Sequence, residues 1–390
     1  MNIAMFTDSY TPYISGVVRS IQRFSRGLTA LGHNVYIFAP QYSKKQMANV
    51  SEQDGIKVFR FHSFPAPTCP SYALPIPISL KADRLIRTLN IDIIHTHSPF
   101  ITGQLGAILA RRNRIPLVFT HHTLYQEYSH YLPGPQKLTK QMITSYLKRY
   151  FRHCHHIIAP TELVKDYILD LYHITNPITI VPTGIDLSQY EMADPDWLRH
   201  KYQIPKHQRI ILYVGRLSVE KSPRLILEAF LQLNKSIADL HLVFVGDGPE
   251  KVNLVKMAKA HGLEKQVTFT GAVDAKEVVH CYSGAELFLF SSTTETQGLV
   301  MIEAMAGGVP VVAVNATGSS ESVIDGYNGF LTENSTEALV EKAELILTNR
   351  TLWQELRENA LKTAQLYSIE NTSRQLITVY DQTLEQEKVS

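Results

Sequence analysis

The sequence predicts two doubly wound α/β domains in tandem. Three observations lead there. Short apolar runs alternate with amphipathic stretches along both halves of the chain. The runs are continuously apolar, as strands covered on both faces of a parallel sheet must be. A length of 390 residues leaves room for about two domains of ~100–200 residues each.

In the first half the apolar runs are Ile3–Phe6, Val35–Phe38, Ile91–Ile94, Leu117–Phe119 and Ile157–Ala159. In the second they are Ile210–Val214, Leu242–Val245, Val267–Phe269, Leu287–Phe290 and Val309–Val314. Each is rich in Ile, Val, Leu or Phe and short enough for a strand. Helical patterns fall between most of them, among them Val17–Leu31. The polar, proline-bearing stretch 190–207 interrupts the alternation and is the expected junction. This gives domains at 1–195 and 205–369. Beyond Phe330 the pattern stays helical. Ile369, Ser373, Leu376, Ile377, Tyr380 and Leu384 place one apolar face on a terminal helix over 368–388.

Composition narrows the class further. With 44% hydrophobic and 19% charged residues the chain is neither disordered nor fibrous. Three separated cysteines exclude a disulfide framework and a C-x-x-C site, which fits a reducing cytoplasm. The first residues, MNIAMFTDSY, lack the basic-then-apolar order of a signal peptide. No apolar run reaches the ~18 residues a membrane span needs. Residues 1–200 hold 20 Lys+Arg against 13 Asp+Glu, and residues 201–390 hold 18 against 23. A basic first half fits an acidic partner such as phosphate or anionic lipid, or ordinary variation in surface charge.

In open parallel sheets ligands bind beyond the carboxyl ends of the strands, so chemistry is expected in the loops there. With two such domains, the cleft between them is the natural site. Ser291–Gln297 follows one strand and leads into a helix near Gly298. A helix start offers free N–H groups to phosphate, and Gly298 permits close approach. Glu295 on the loop and Glu303 in the helix supply acceptors for sugar or ribose hydroxyls. A lone Glu295 would otherwise only help cap the helix. Gly215–Lys221 presents Arg216 and Lys221 after another strand; the pair suits diphosphate or is simply solvated. Asp247 lies in the tight turn Gly246–Pro249. Gly16 marks the first strand-to-helix turn, without a dinucleotide or P-loop fingerprint. His121 and His122 follow a strand, where neighbours point to opposite faces, so one is functional and the other structural. Asp194-Pro195-Asp196 reads as a helix start with Asp as N-cap and Pro at the first position, not as a metal site. The His153–His156 cluster has diverging side chains and is not a metal site either.

These segments, in this order, resemble the retaining GT-B glycosyltransferases of family 4, over nearly the whole chain. Glu295-x7-Glu303 followed by AMAGGVP is the strongest element, and Gly215-Arg216…Glu220-Lys221 the second. Ser222 stands where the family usually has glycine, a change expected to affect loop flexibility more than chemistry. The resemblance implies that Arg216 and Lys221 hold the donor diphosphate, with Asp247 also on the donor side. It implies that Glu303 holds the ribose and that Gly16 lies beside the diphosphate. Glu295, with the backbone of Gln297, Gly298 and Leu299, would hold the sugar and phosphate. His122 matches the family's active-site histidine, and His121 falls where an aromatic residue is usual. The terminal segment, about 370–390, would return to the first domain.

Within the family, FTDSYTPYISGVVRSI, IIHTHSPFITGQLG and FTHHTLYQEYSHYLP are most similar to bacterial diacylglycerol glucosyltransferases. The implied reaction moves a hexose, glucose from UDP-glucose, to the hydroxyl of a membrane lipid such as 1,2-diacylglycerol. No metal, tightly bound cofactor or nucleic acid is implied. The expected location is cytoplasmic, peripheral on the inner face of the cell membrane. Pro135–Arg152 reads as a basic helix, with Lys137, Lys140, Lys148, Arg149 and Arg152 and no acid. Such a helix lies on an anionic membrane or packs on the core with a solvated basic face; the resemblance favours the membrane. The alternatives are a lipid mannosyltransferase using GDP-mannose, a family member with a soluble acceptor, and a non-catalytic nucleotide-sugar binder.

Overall fold

A computed structural model describes the chain except residues 14, 43–49, 54, 67–68, 77–78, 127–134, 317 and 390. Ile14 of the stretch FTDSYTPYISGVVRSI and residues 127–133 of FTHHTLYQEYSHYLP therefore lie outside the described residues. Two compact units result: Met1–Gly184 with Ile369–Ser390, and Ile185–Ser368.

Unit 1 runs β1 (Asn2–Phe6), α1 (Gly16–Ala30), β2 (Asn34–Pro40), β3 (Val50–Gln53), β4 (Ile56–Phe61), β5 (Ser63–Ala66) and β6 (Cys69–Pro75). It continues α2 (Ser79–Thr88), β7 (Ile93–Thr96), α3 (Ile101–Asn113), β8 (Leu117–Thr120), α4 (Gln136–Phe151), β9 (His156–Ala159), α5 (Glu162–Tyr172) and β10 (Ile178–Ile180). Unit 2 runs α6 (Ser188–Glu191), α7 (Trp197–Tyr202), β11 (Arg209–Val214), α8 (Pro223–Ser236), β12 (Leu240–Val245), α9 (Lys251–Ala260) and β13 (Val267–Gly271). It continues α10 (Ala275–Ser283), β14 (Leu287–Phe290), α11 (Leu299–Ala306), β15 (Val311–Val314), β16 (Gly329–Thr332), α12 (Thr336–Thr348) and α13 (Arg350–Leu366). The last helix, α14 (Ile369–Val389), belongs to unit 1.

The unit 1 sheet has the order β10-β9-β8-β7-β1-β2-β4-β3, parallel but for β3 against β4. The unit 2 sheet, β13-β12-β11-β14-β15-β16, is parallel throughout. Helices cover both faces, and the strand cores are fully buried, as the continuous apolar runs require. Strand order reverses between β1 and β7 in unit 1 and between β11 and β14 in unit 2. These two places are the topological switch points, where parallel sheets open a crevice for ligands.

Two details depart from the sequence expectation. The units divide at Gly184–Ile185, ahead of the stretch 190–207. That stretch carries the end of α6 and all of α7, and it seats Leu198, Trp197 and Tyr202 on the unit 2 core, so it is part of the domain rather than a linker. Pro195 is not the first helical residue of α7. The helix starts at Trp197, and Asp194 instead accepts the Asp196 backbone N–H at 2.9 Å.

The terminal helix is held on unit 1 by shape. A Cβ at Gly27 of α1 would run into Ser373 of α14, so only glycine lets the two backbones approach this closely. Leu376, Val379 and Tyr380 join the core formed by Ile3, Met5 and Ile21.

Candidate active site

At the unit 2 switch point, the chain leaves β11 through Gly215 and Arg216 and makes a single 3-10 turn, Val219–Lys221. Ser222 follows with φ +47, the left-handed region that favours glycine. The Ser291 hydroxyl at the end of β14 lies 2.9 Å from both the Lys221 and Ser222 carbonyls, tying the two loops together. Lys221 Nζ donates to Glu295 Oε1 at 2.6 Å, and both side chains are mostly buried. A charge-assisted hydrogen bond of this kind contributes about 1.5–3 kcal/mol.

Beside this pair, α11 begins. Gly298 is its N-cap with φ +66 and, as glycine, brings no side chain to the helix start. A Cβ at Gly298 would strike Met301, and one at Gly318 would strike Glu295, so two glycines leave the loop its close fold. Gln297 is buried, and its carbonyl accepts from the Ser322 hydroxyl at 3.1 Å. Glu303 is buried one turn into α11 and accepts from the Tyr282 hydroxyl at 3.1 Å.

Arg216 sits on the same β11 loop, exposed, while its carbonyl accepts from Tyr213 at 3.3 Å. Asp247 lies against the β11 loop, its carbonyl accepting the Leu217 N–H at 3.0 Å. Its carboxylate accepts from the Gly248 N–H at 2.8 Å and pairs with Lys251 Nζ at 3.2 Å. Those hydrogen bonds, backbone first, hold its pKa below the ordinary carboxylate value.

Unit 1 presents rings instead of charges. His95 on β7 and His97 just beyond it lie two residues apart, hence on one face, with ring centroids 4.1 Å apart. On the neighbouring strand β8, Thr120 and His122 repeat that spacing. The result is a ladder: His95 Nε2 lies 2.7 Å from Thr120 Oγ1, and His97 Nδ1 lies 2.9 Å from His122 Nε2. Tyr380 of α14 closes its inner end, 2.7 Å from His95 Nδ1. His121 points the other way, into Phe119, Tyr125, Phe151 and Tyr172. Neither of its ring nitrogens has a hydrogen-bond partner among the described residues.

Burial pushes all four imidazoles down, His95 and His121 to about 3, so they are neutral at neutral pH. His97 was not singled out from the sequence; the signal was the H-x-H at the end of a strand. Asp8 was missed too. It is buried beyond β1, where burial raises its pKa, and it caps α3 by accepting from the Thr102 N–H and hydroxyl, each at 2.8 Å. Gly16 is the first residue of α1, whose N-cap is Ser15.

The basic helix is α4. Leu147, Tyr150 and Phe151 face the core. Leu138 and Met142, one turn apart, are 57% and 73% exposed, with Tyr146 exposed on the next turn. Lys137, Arg149 and Arg152 are exposed, and Lys140 and Lys148 partly so. An apolar row on the outer side of a helix with five cations fits a surface that is itself apolar and anionic.

No cluster of three or more His, Cys, Asp or Glu able to hold a metal occurs among the described residues. The His153–His156 side chains diverge: Cys154 is buried, His155 meets Glu387 at 2.7 Å, and His156 meets Thr179 at 2.8 Å. Among the described residues no helix is long and apolar enough to cross a membrane.

Residues 14–189 match the family described as Glycosyltransferase Family 4, and residues 196–363 that described as Glycosyl transferases group 1. Alpha-monoglucosyldiacylglycerol synthase of Acholeplasma laidlawii is 32% identical, covering 97% of this chain and 96% of that protein. The Streptococcus pneumoniae protein of the same name is 33% identical over 80% of this chain and 71% of its own. The crystal structure of Anabaena HepE in complex with UDP has a TM-score of 0.78 at 22% identity, covering 98% and 100% of the two chains, a likeness of fold.

Proposed function

Because the chain belongs to the group 1/family 4 glycosyltransferases of GT-B fold, we propose that it transfers glucose from UDP-glucose to the hydroxyl of a membrane lipid such as 1,2-diacylglycerol, with retention at the anomeric carbon. The observation that carries this reading is the Lys221–Glu295 pair at the unit 2 switch point, beside the glycine-capped start of α11. A lysine held there by a carboxylate can exchange that partner for a diphosphate, freeing the carboxylate for a sugar hydroxyl. Arg216 shares the diphosphate, and the N–H groups at Gly298 and Leu299 extend the positive field. Glu303 accepts from the ribose, and His122 binds a hexose hydroxyl.

In the reaction the bond from the anomeric carbon to the β-phosphate oxygen breaks, and UDP leaves with the electron pair. The lipid oxygen bonds to that carbon on the same face, and its proton passes to a donor phosphate oxygen. Lys221 and Arg216 stabilise the charge that develops on the leaving diphosphate. The exposed row of α4 and its cations hold the protein to the inner face of the membrane, as the two glucolipid synthases named above make reasonable.

The test is release of UDP from UDP-glucose with vesicles of diacylglycerol and an anionic lipid, against vesicles without diacylglycerol. Diacylglycerol-dependent release with a glucolipid product is expected. Release from neither, with turnover of GDP-mannose or on a soluble acceptor, would replace this substrate assignment.

A further inference from the structure

Phe100 is the N-cap of α3, a position where Ser, Thr, Asp or Asn usually supplies a side-chain acceptor, and it makes no cap hydrogen bond. Asp8 does that work instead, through the Thr102 N–H and hydroxyl. Local structure therefore gives no reason for an aromatic residue here. The ring is 42% exposed, on the loop that leaves β7 and three residues beyond His97.

It does not stand alone. Phe100 stacks on Tyr146 of α4, with centroids 5.9 Å apart and planes 15° apart, and meets Tyr125 edge to face at 5.4 Å. The Tyr146 hydroxyl donates to the Pro99 carbonyl at 2.8 Å and accepts from Gln104 Nε2 at 2.9 Å. With its polar end occupied, Tyr146 offers a ligand its ring. These contacts hold the rings in place beforehand, which lowers the ordering cost of binding an apolar group.

The aromatic ridge joins two other features of unit 1. At one end, Leu138, Met142 and Tyr146 follow i, i+4, i+8 spacing, an exposed apolar row about 12 Å long on α4. At the other end, the partly exposed Tyr125 lies three residues beyond His122. One apolar path thus runs from the outer side of α4 to the loops that carry His97 and His122. Contiguous exposed apolar surface marks an interaction site, whereas single exposed residues do not. Lys137, Arg149 and Arg152 lie beside the row and α4 holds no acid, so the matching partner is apolar with anionic groups around it, as acyl chains in an anionic bilayer are.

We propose that this path carries an acyl chain of the acceptor lipid from the bilayer to the loops beyond β7 and β8, and that Phe100 sets the preference for acceptors with a long chain. The proposal rests on the reading of a membrane lipid as acceptor. Phe100 meets the chain and not the reacting atoms, so it governs specificity and is not a catalytic residue. A hexose stacked on the ring is the competing outcome.

Two acceptors separate the outcomes: dioleoylglycerol in anionic vesicles, and dihexanoylglycerol, whose chains are too short to follow the path. The ratio of kcat/KM for the long acceptor over the short one should fall at least about tenfold in Phe100→Ala, as on losing much of one apolar side-chain contact. Phe100→Leu should restore most of it, and KM for UDP-glucose should not move. An unchanged ratio overturns the proposal. That includes an equal loss on both acceptors, which a sugar-stacking ring or a mere brace of the loop would give. A second measurement needs no turnover. Trifluoromethyl-phenylalanine at position 100 of the full chain gives one fluorine signal, which doxyl-labelled acyl chains in anionic vesicles should broaden beyond unlabelled vesicles. Equal line widths overturn the proposal. If neither diacylglycerol is turned over, the acceptor reading has failed, and the fluorine signal alone decides whether Phe100 meets acyl chains.

Discussion

In unit 2 the loops flanking the switch point hold ions. Lys221 and Glu295 pair at 2.6 Å beside a helix start whose N-cap is glycine. In unit 1 the loops beyond β7 and the neighbouring β8 hold neutral rings, His97 and His122, 2.9 Å apart and backed by His95. The scaffold is the same in kind, a parallel sheet with buried strands, so topology does not choose the chemistry. What differs is the water left around each group. Mostly buried but not sealed, the ion pair can change partners. In the ladder His95 and His97 are buried and His122 at the outer end is partly so, and burial keeps all three uncharged. In the function proposed above, the charged loops of unit 2 take a diphosphate and the neutral rings of unit 1 an uncharged hydroxyl group.

The largest effect should come from breaking the charged end. Lys221→Ala or Glu295→Ala is expected to lower turnover about 10²–10³-fold, the loss typical of one preorganised group at a developing charge. Circular dichroism should show both variants folded. Next comes α4: charging its apolar row with Leu138→Glu and Met142→Glu should weaken binding to anionic vesicles by at least about tenfold, measured by co-sedimentation. Unfolding temperature should not change, because both residues are exposed.

The neutral end should show itself in acid. Below about pH 6.5 the unfolded chain binds protons on these imidazoles, while the folded chain, with its ring pKa values pushed down, does not. The stability these rings lend is present above that pH and falls as pH drops toward about 3, by ~1.4 kcal/mol per pH unit for each ring. Hydrogen exchange should therefore show unit 1 loosening before unit 2 on acidification. His121→Phe removes one such ring from an aromatic pocket that gives it no polar partner, so it should flatten this slope and stabilise the protein by about 1–2 kcal/mol. The smallest effect is expected at Ser222, held at φ +47. Ser222→Gly should gain roughly 0.5–1 kcal/mol on thermal unfolding and leave kcat unchanged.

Much of this was legible in the sequence where burial dictates composition. The ten apolar runs are all strands or strand ends, because a strand covered on both faces can carry little else. β3–β6 were not legible. β3 pairs antiparallel with β4 at the sheet edge and β5 pairs antiparallel with β6, and their polar residues and prolines blur the pattern. β16 was missed for a similar reason, as an edge strand of four residues that starts on glycine. Glu295 and Lys221 were each visible as loop residues, but not as a pair, since 74 positions separate them. Likewise His97 and His122 are 25 residues apart and meet only because β7 lies beside β8. Asp247 read as a donor-side residue of the β12 turn, and the geometry adds its pairing with Lys251.

The division of labour between the two ends is tested most directly by equilibrium binding of UDP to three proteins, by calorimetry. Wild type and His122→Ala should bind with the same affinity. Lys221→Ala should bind at least about tenfold more weakly, the equivalent of ~1.4 kcal/mol lost from one phosphate contact. Equal binding by Lys221→Ala, or a loss confined to His122→Ala, would contradict the assignment of the diphosphate to the charged end of unit 2.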